Sequence, residues 1–458
     1  MPETLKGEEA ASLFQTDFPP EELAERRGRV LDAIGPEAVA VLQGAPAVQG
    51  FEVFRQFNDF YYLCGVEVPH CCLLLDGGSR RSTLFLPDPA LVEAASEGGT
   101  LAGAEPEAVA RLTGLDAVSR IEALSECLKE VRTAYVPHAP GEGRAMSRGE
   151  ARRANRMAAS DPWDGALPRE ARFIALLRAR HPRAEVRDLS PILDGLRRVK
   201  SPRELGLLRQ AARLAGQGLI EAARATRPGV YEYQLAAAAS GVFLANGARG
   251  EGYRAIAASG PNTWFGHYFR NDRQLREGDL VLFDYAPDYR YYTSDIGRMW
   301  PASGRYSAQQ RELYGFVVAY HKALLRRIRP GVLAAEILAD AAREMAGVIE
   351  GTAFSKDIYA AAARRMLDFK GHLSHPVGMT VHDVGGYASQ PLSPGLVFTV
   401  DPQMWVPEER LYIRCEDTIA ITEDGIENLT GFVPLDLDAF ESLMREKRSA
   451  AAVSGGGW

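Results

Sequence analysis

Two stretches decide how this chain is read: Gly278-Asp-Leu-Val-Leu-Phe-Asp284 and Gly395-Leu-Val-Phe-Thr-Val-Asp401. Each sets a glycine six positions ahead of an aspartate, with an apolar run between them that suits a buried strand. Read backwards from each, the chain passes through the same series. Ser201-Pro202-Arg203-Glu204 and Ser307-Ala308-Gln309-Gln310 both read as capping boxes that open helices. The first helix carries Leu205, Leu208, Ala212, Ala215, Leu219 and Ala222 as one apolar stripe. Arg227-Pro228-Gly229 ends it, Arg329-Pro330-Gly331 ends its counterpart, and a further helix follows each. Two halves of helices leading into a strand with a carboxylate predict a pseudo-symmetric α+β domain over 200–440, its site lying where two sheets meet.

The boundary falls just before Ser201, and the preceding 20–195 alternate strands with helices as an α/β domain does. A helix is expected from Glu21 to Gly35-Pro36, with Leu23, Val30, Leu31 and Ile34 on one face. Strands follow at Ala38–Leu42, Cys71–Leu75, Thr83–Leu86 and Ala134–Val136, with helices at Pro89–Glu97 and Pro168–Arg180. Residues 1–20 are polar and expected to fray. The tail 446–458, small and glycine-rich, is expected to be disordered.

Composition removes several classes of function. With 46% hydrophobic and 25% charged residues the chain is ordinary globular protein. A net charge of -7 leaves no basic footprint for nucleic acid. No run approaches the ~20 apolar residues of a membrane span. The start, MPETLKGEEAASLF, lacks the pattern of a signal peptide, so the cytoplasm is the expected compartment. Five cysteines without a CxxC pair read as buried, reduced thiols.

The chemistry gathers around the two aspartate-bearing strands. Val281–Tyr285 and Tyr291–Met299 read as a hairpin across the turn 287–290; pairing Ala286 with Tyr291 sets Asp284 opposite Thr293 and Asp295 diagonally beyond. Both carboxylates then share a face, where a cation between them offsets the cost of burying two negative charges. His372, His375 and His382 lie within eleven residues in a chain with 8 histidines. A lone histidine is usually packed in a core or on a surface, but a cluster beside carboxylates suits a metal. Asp401 closes one strand-like run and Glu416 lies in another. Carboxylates with a histidine fit Mn²⁺, Co²⁺ or Zn²⁺ in a catalytic site better than a structural zinc, which prefers cysteine and histidine. Two such ions activate water and polarise a carbonyl, which is hydrolytic machinery.

Several ordered motifs then carry a resemblance: RRVKSPRELGLLRQA, PGVYEYQL, HYFRNDRQLREGDLVLFDYAPDYRYYTSDIGRMWP, HLSHPVGMTVHDVG, LSPGLVFTVDP and IRCEDTIAITEDGIENLT. From about Leu196 to Pro434 the chain resembles the pita-bread (creatinase/aminopeptidase-like) metallopeptidases, in the aminopeptidase P and prolidase branch. FRQFNDFYYLCGVEVPHCCLLLDG resembles the aminopeptidase P N-terminal domain. The resemblance implies five metal ligands, Asp284, Asp295, His375, Asp401 and Glu416. It implies that His267 and His382 contact substrate and steady the tetrahedral intermediate, and that Arg414 stands beside the metal site. It implies two divalent ions, manganese first with zinc or cobalt as alternatives. The reaction implied is release of an N-terminal residue from peptides with proline second, by a hydroxide bridging the ions. The implied assembly is a homodimer or homotetramer.

The chain departs from the family pattern at places that bear on rate. TVDPQ stands where TVEPG is usual, so Asp401 replaces a glutamate to which the family assigns proton transfer, Trp405 replaces a tyrosine, and Gly371-His372 replaces His-Gly. A dipeptidase on the same chemistry, a binding protein that kept the fold and lost turnover, and a metal-free amidine hydrolase of the creatinase type are the competing readings. Trp300 and Trp405 are each open to two readings, a proline-ring pocket or core packing.

Overall fold

A computed structural model describes residues 6–92 and 99–446. The chain divides after Arg197 into two compact units. The helix expected to reach Glu97 is described as Pro89–Val92, and its remainder lies outside the described residues, as does the tail beyond Glu446.

The first unit is built on a six-stranded mixed sheet. Its strands are β1 (Ala38–Gln43), β2 (Cys72–Asp76), β3 (Arg81–Leu86), β4 (Ala117–Arg120), β5 (Thr133–Val136) and β6 (Glu185–Asp188), in the order β4-β3-β2-β1-β5-β6. β1, β2 and β3 pair antiparallel, while β3–β4, β1–β5 and β5–β6 are parallel. β4 and β6 escape the sequence reading because both are short, half-exposed edge strands without an apolar run. The helix Pro20–Ile34 begins with proline in its first turn, buries Leu23, Val30, Leu31 and Ile34, and stops at Gly35, whose φ of 77° suits glycine.

Two expectations about this unit need correction. Residues 7–12 form a helix, and Phe14 and Phe18 are buried, so apolar anchoring holds a stretch expected to fray. Cys64, Cys71 and Cys72 are buried free thiols as expected, but Cys127 is exposed.

The second unit carries β7 (Ile256–Ser259), β8 (Leu280–Asp284), β9 (Ile296–Pro301), β10 (Val397–Val400), β11 (Gln403–Val406), β12 (Leu411–Arg414), β13 (Glu416–Ile421) and β14 (Ile426–Asn428). Both predicted capping boxes form. Ser201 accepts from the Glu204 amide and Ser307 from the Gln310 amide, opening the helices Pro202–Ala225 and Ala308–Leu325. In the first, Leu208, Ala212, Ala215, Leu219 and Ala222 are buried and Leu205 is half-buried. The glycines of the two repeats share a left-handed backbone: φ is 94° and 82° at Gly229 and Gly331, and 84° and 85° at Gly278 and Gly395.

The two expected sheets are one, in the order β10-β13-β9-β8-β7, with β14 on β13. The halves are joined by a short antiparallel seam in which Glu416 pairs with Gly297 and Asp417 with Ile296. The hairpin register is also corrected. Asp284 faces Gly297, not Thr293, and the returning strand begins at Ile296. Arg290 and Tyr291 both take positive φ (50° and 73°), so the turn spreads over a longer loop. The error of four residues is even, so the side chains keep their faces.

Candidate metal centre

Strand geometry assembles the centre. Asp284 on β8, Gly297 on β9 and Glu416 on β13 lie in one cross-strand row. Strands stand ~4.8 Å apart, so the two carboxylates start ~9.6 Å apart with nothing but a glycine between them. A Cβ at position 297 would come within 3.2 Å of the Glu416 Cβ and 3.4 Å of its Oε2, so the missing side chain leaves the space that the Glu416 side chain uses. Asp295, one residue before β9, donates its amide to Thr418 Oγ1 (3.0 Å) and accepts at its own carbonyl from the same hydroxyl (2.7 Å). His375 comes from a segment laid along the edge of β10. The Val377 amide donates to the Val397 carbonyl and the Thr399 amide to the His375 carbonyl, both at 3.0 Å.

Together these place His375 Nε2 3.3 Å from Asp295 Oδ2 and 3.5 Å from Glu416 Oε1. One ligand atom from each of the three lies within 4.8 Å of the others. The other ring nitrogen, Nδ1, faces the Pro376 carbonyl at 3.2 Å, which fixes the ring with Nε2 turned to the two carboxylates. Asp284 and Asp401 join through Arg414, the last residue of β12. Its guanidinium bonds Asp284, lies 2.7 Å from Glu416 Oε2 and 3.2 Å from Asp401 Oδ2.

Four buried carboxylates around one arginine and one imidazole leave a surplus of negative charge. Its signature is in the proton affinities. Burial and the charges of Asp284 and Glu416 push Asp295 well above the usual carboxylate range. Burial and Glu416 lift Asp401 to about 7. Burial also acts to raise Glu416, but Arg414 and His375 outweigh it and hold that carboxyl at about 2. Among the described residues, the buried Asp401 Oδ1 has no hydrogen-bond partner, and Glu416 Oε1 has none beyond its 3.5 Å ionic contact with His375. Orphaned carboxylate oxygens beside a histidine fit divalent cations.

His382 lies beside this set, its ring centroid 4.4 Å from that of His375 and 5.8 Å from that of His267. His267 follows the 3₁₀ turn Gly260–Trp264, in a loop anchored by Asn271, whose amide bonds the backbone of Ala255 and Ala257. His372 is turned away, packing on Phe369 at the edge of a cavity of about 520 Å³ that reaches Asp401. Trp405 lines that cavity, while Trp300 is core, stacked on Phe440 and donating to Thr226.

Four contributors were missed in the sequence. The Tyr253 hydroxyl donates to Asp284 (2.5 Å) and lies 2.9 Å from Asp295 Oδ1, from a loop with no motif around it. Gln403 lies opposite Arg414 across β11–β12 and donates to the same Asp401 Oδ2, at 2.6 Å. Its place in TVDPQ, two after the shortened acid, was the available signal. Lys200 and Asp383 form an ion pair (3.2 Å) with both side chains 1% exposed, tying the His382 segment to the start of the unit. A Cβ on Gly378 would fall 2.0 Å from Asp383 Oδ2, so that segment needs glycine there.

Residues 206–423 match the metallopeptidase family M24 and residues 23–136 match the aminopeptidase P N-terminal domain. The chain belongs to metallopeptidase family M24, with an aminopeptidase P-type first domain and a pita-bread second domain, and is a peptide-bond hydrolase of that family. Its relatives include the Xaa-Pro aminopeptidase of Escherichia coli (strain K12), 31% identical over 451 residues that cover 93% of this chain and 97% of that protein. Aminopeptidase P from E. coli with the inhibitor Pro-Leu superposes with a TM-score of 0.77 at 28% identity, over 95% of this chain and 99% of that one. Proline aminopeptidase P II from Yersinia pestis does so with a TM-score of 0.75 at 30% identity, over 93% and 99%.

Proposed function

We propose that this chain is a metal-dependent Xaa-Pro aminopeptidase that releases the N-terminal residue from peptides with proline second. The observation that carries the reading is the seam cluster, whose buried and partly orphaned oxygens belong to a chain alike over nearly its whole length to Xaa-Pro aminopeptidases. Asp284, Asp295, His375, Asp401 and Glu416 would hold two divalent ions, and four carboxylates with one imidazole favour manganese, with zinc or cobalt as substitutes. When bound, the ions supply Lewis-acid polarisation of the scissile carbonyl and acidify water.

The chain's own groups do the rest. His267 and His382, side by side at the mouth of the centre, offer ring N–H donors to the oxygen that gains charge as the carbonyl becomes tetrahedral. Asp401, gripped at Oδ2 by Gln403 and Arg414, keeps Oδ1 free for the reacting centre. Arg414 balances the carboxylates and keeps Asp284, Asp401 and Glu416 converging on one point. No described helix is long and apolar enough to cross a membrane. Five free cysteines suit a reducing compartment, so we place the protein in the cytoplasm. We further propose a homodimer or homotetramer, which sedimentation velocity reads directly.

The test is hydrolysis of an Xaa-Pro tripeptide and an Xaa-Pro dipeptide by metal-stripped protein, before and after adding Mn²⁺, Zn²⁺ or Co²⁺. Metal-restored cleavage of the tripeptide is expected. Cleavage of the dipeptide alone would make the protein a prolidase, and failure to bind any of the metals would overturn the reading.

A further inference from the structure

The helix Arg169–Arg180 of the first unit lays one face over a cavity of about 290 Å³. Arg169, Phe173, Leu176, Leu177 and Arg180 all line it, at the i, i+4, i+7, i+8 and i+11 positions of a single helical stripe. The arginines therefore stand at the two ends of a strip about 16 Å long, with apolar side chains between them. Opposite, Ile121, Leu124 and the buried Leu128 continue the apolar wall, and Cys72 closes the floor.

The charge of this cavity is one-sided. Arg169, Arg180, His70 and His181 line it, and no carboxylate does. Neither arginine forms a salt bridge among the described residues. Arg169 is steadied by a bond from Nη2 to the Gly44 carbonyl (3.0 Å), and the adjacent Glu170 is turned to the Gly141 amide (3.0 Å). His70 accepts the Ala47 amide at Nε2 (3.1 Å), which leaves the proton on Nδ1 as a donor. In a chain with 60 acidic and 53 basic residues, two unpaired arginines over an apolar floor are a local reversal of the overall charge.

We propose that this cavity binds a carboxylate joined to an apolar body, the body lying along Phe173 and Leu177 and the carboxylate on Arg180, whose guanidinium, unlike that of Arg169, makes no hydrogen bond among the described residues. Arginine matches a carboxylate with paired donors, and the apolar wall rejects a bare inorganic anion. At ~30 Å³ per water-sized group, the volume holds about ten heavy atoms, the size of an eight-carbon acid or an apolar C-terminal residue. A medium-chain fatty acid and the C-terminus of an apolar peptide share this chemistry. The site is built wholly from the first unit and does not rest on the peptidase reading.

The experiment is calorimetric titration of the full chain with octanoate and with N-acetyl-Leu-Phe, each against its neutral counterpart, octanol and the peptide amide. Saturable one-to-one binding of a carboxylate is expected, about tenfold tighter than its neutral counterpart. Octanoate alone would identify a fatty-acid site, the peptide alone a C-terminus site, and both would mean the shared chemistry suffices. Arg180→Gln, at an exposed position without a partner, should weaken binding about tenfold, and Leu124→Trp should abolish it by filling the cavity. Both variants should keep the wild-type circular dichroism spectrum and melting temperature, which certifies the fold. Absence of saturation by either acid at about 10 mM, equal binding of neutral and charged forms, or wild-type affinity in Arg180→Gln would overturn the proposal.

Discussion

In the proposed reaction, Asp401 is the residue on which rate turns. An aspartate reaches one methylene less far than a glutamate, and a misplacement of ~1 Å can cost on the order of 10²-fold. Gln403 and Arg414 both grip Oδ2, which fixes the rotamer and leaves Oδ1 free. Gln403→Gly should therefore lower kcat about tenfold with Asp401 present and have little effect beside Asp401→Glu; equal losses in both backgrounds would show that Gln403 does not position the acid. Tyr253 is the second residue to probe. Its hydroxyl orients two carboxylates at once, and loss of such an outer partner typically weakens metal affinity 10–100-fold. Competition titration of Tyr253→Phe with a fluorescent chelator measures this, and unchanged affinity would reduce Tyr253 to packing.

At the scale of elements, the segment carrying His375 and His382 is pinned at both ends, by backbone bonds to β10 and by the buried Lys200–Asp383 pair. Removing one partner of such a pair strands a charge and costs about 3–5 kcal/mol, whereas replacing both with apolar residues is often neutral. Asp383→Asn should thus lower the melting temperature. Lys200→Met with Asp383→Leu should recover it while kcat stays depressed, because the loop packs but no longer holds His382 in register. Recovery of both would make the pair structural only. The seam behaves likewise: Gly297→Ala sets a methyl against Glu416, and loss of bound metal at preserved secondary structure is the expected reading.

At the scale of the whole molecule, stability carries a pH dependence from His321, fully buried in the second unit. Burial outweighs the attraction of Asp417 and holds the imidazole at about 4. Nε2 meets the Val400 carbonyl at 3.1 Å and Nδ1 has no partner, as suits a neutral ring. The unfolded chain, with a histidine pKa near ~6.5, takes up this proton first. The contribution is present above pH ~6.5 and lost as the pH falls toward 4, by up to about 3 kcal/mol. Urea midpoints at pH 7 and pH 5 should converge in His321→Gln relative to wild type, and an unchanged difference would assign the acid sensitivity to the carboxylates.

The sequence by itself determined the two-part plan of the catalytic half. Capping boxes, Arg-Pro-Gly stops and left-handed glycines are local devices, each satisfied within a few residues, so their spacing is legible without a fold. The faces of Asp284 and Asp295 were legible for a related reason: strand alternation has a period of two, so even a register wrong by four residues keeps them together. Tertiary structure alone decided that two sheets are one, that Gly297 clears the space between Asp284 and Glu416, and that Tyr253 and Lys200 serve the centre. Each of those facts is a contact between residues far apart in the chain, where burial and charge set the partner and no local pattern records it.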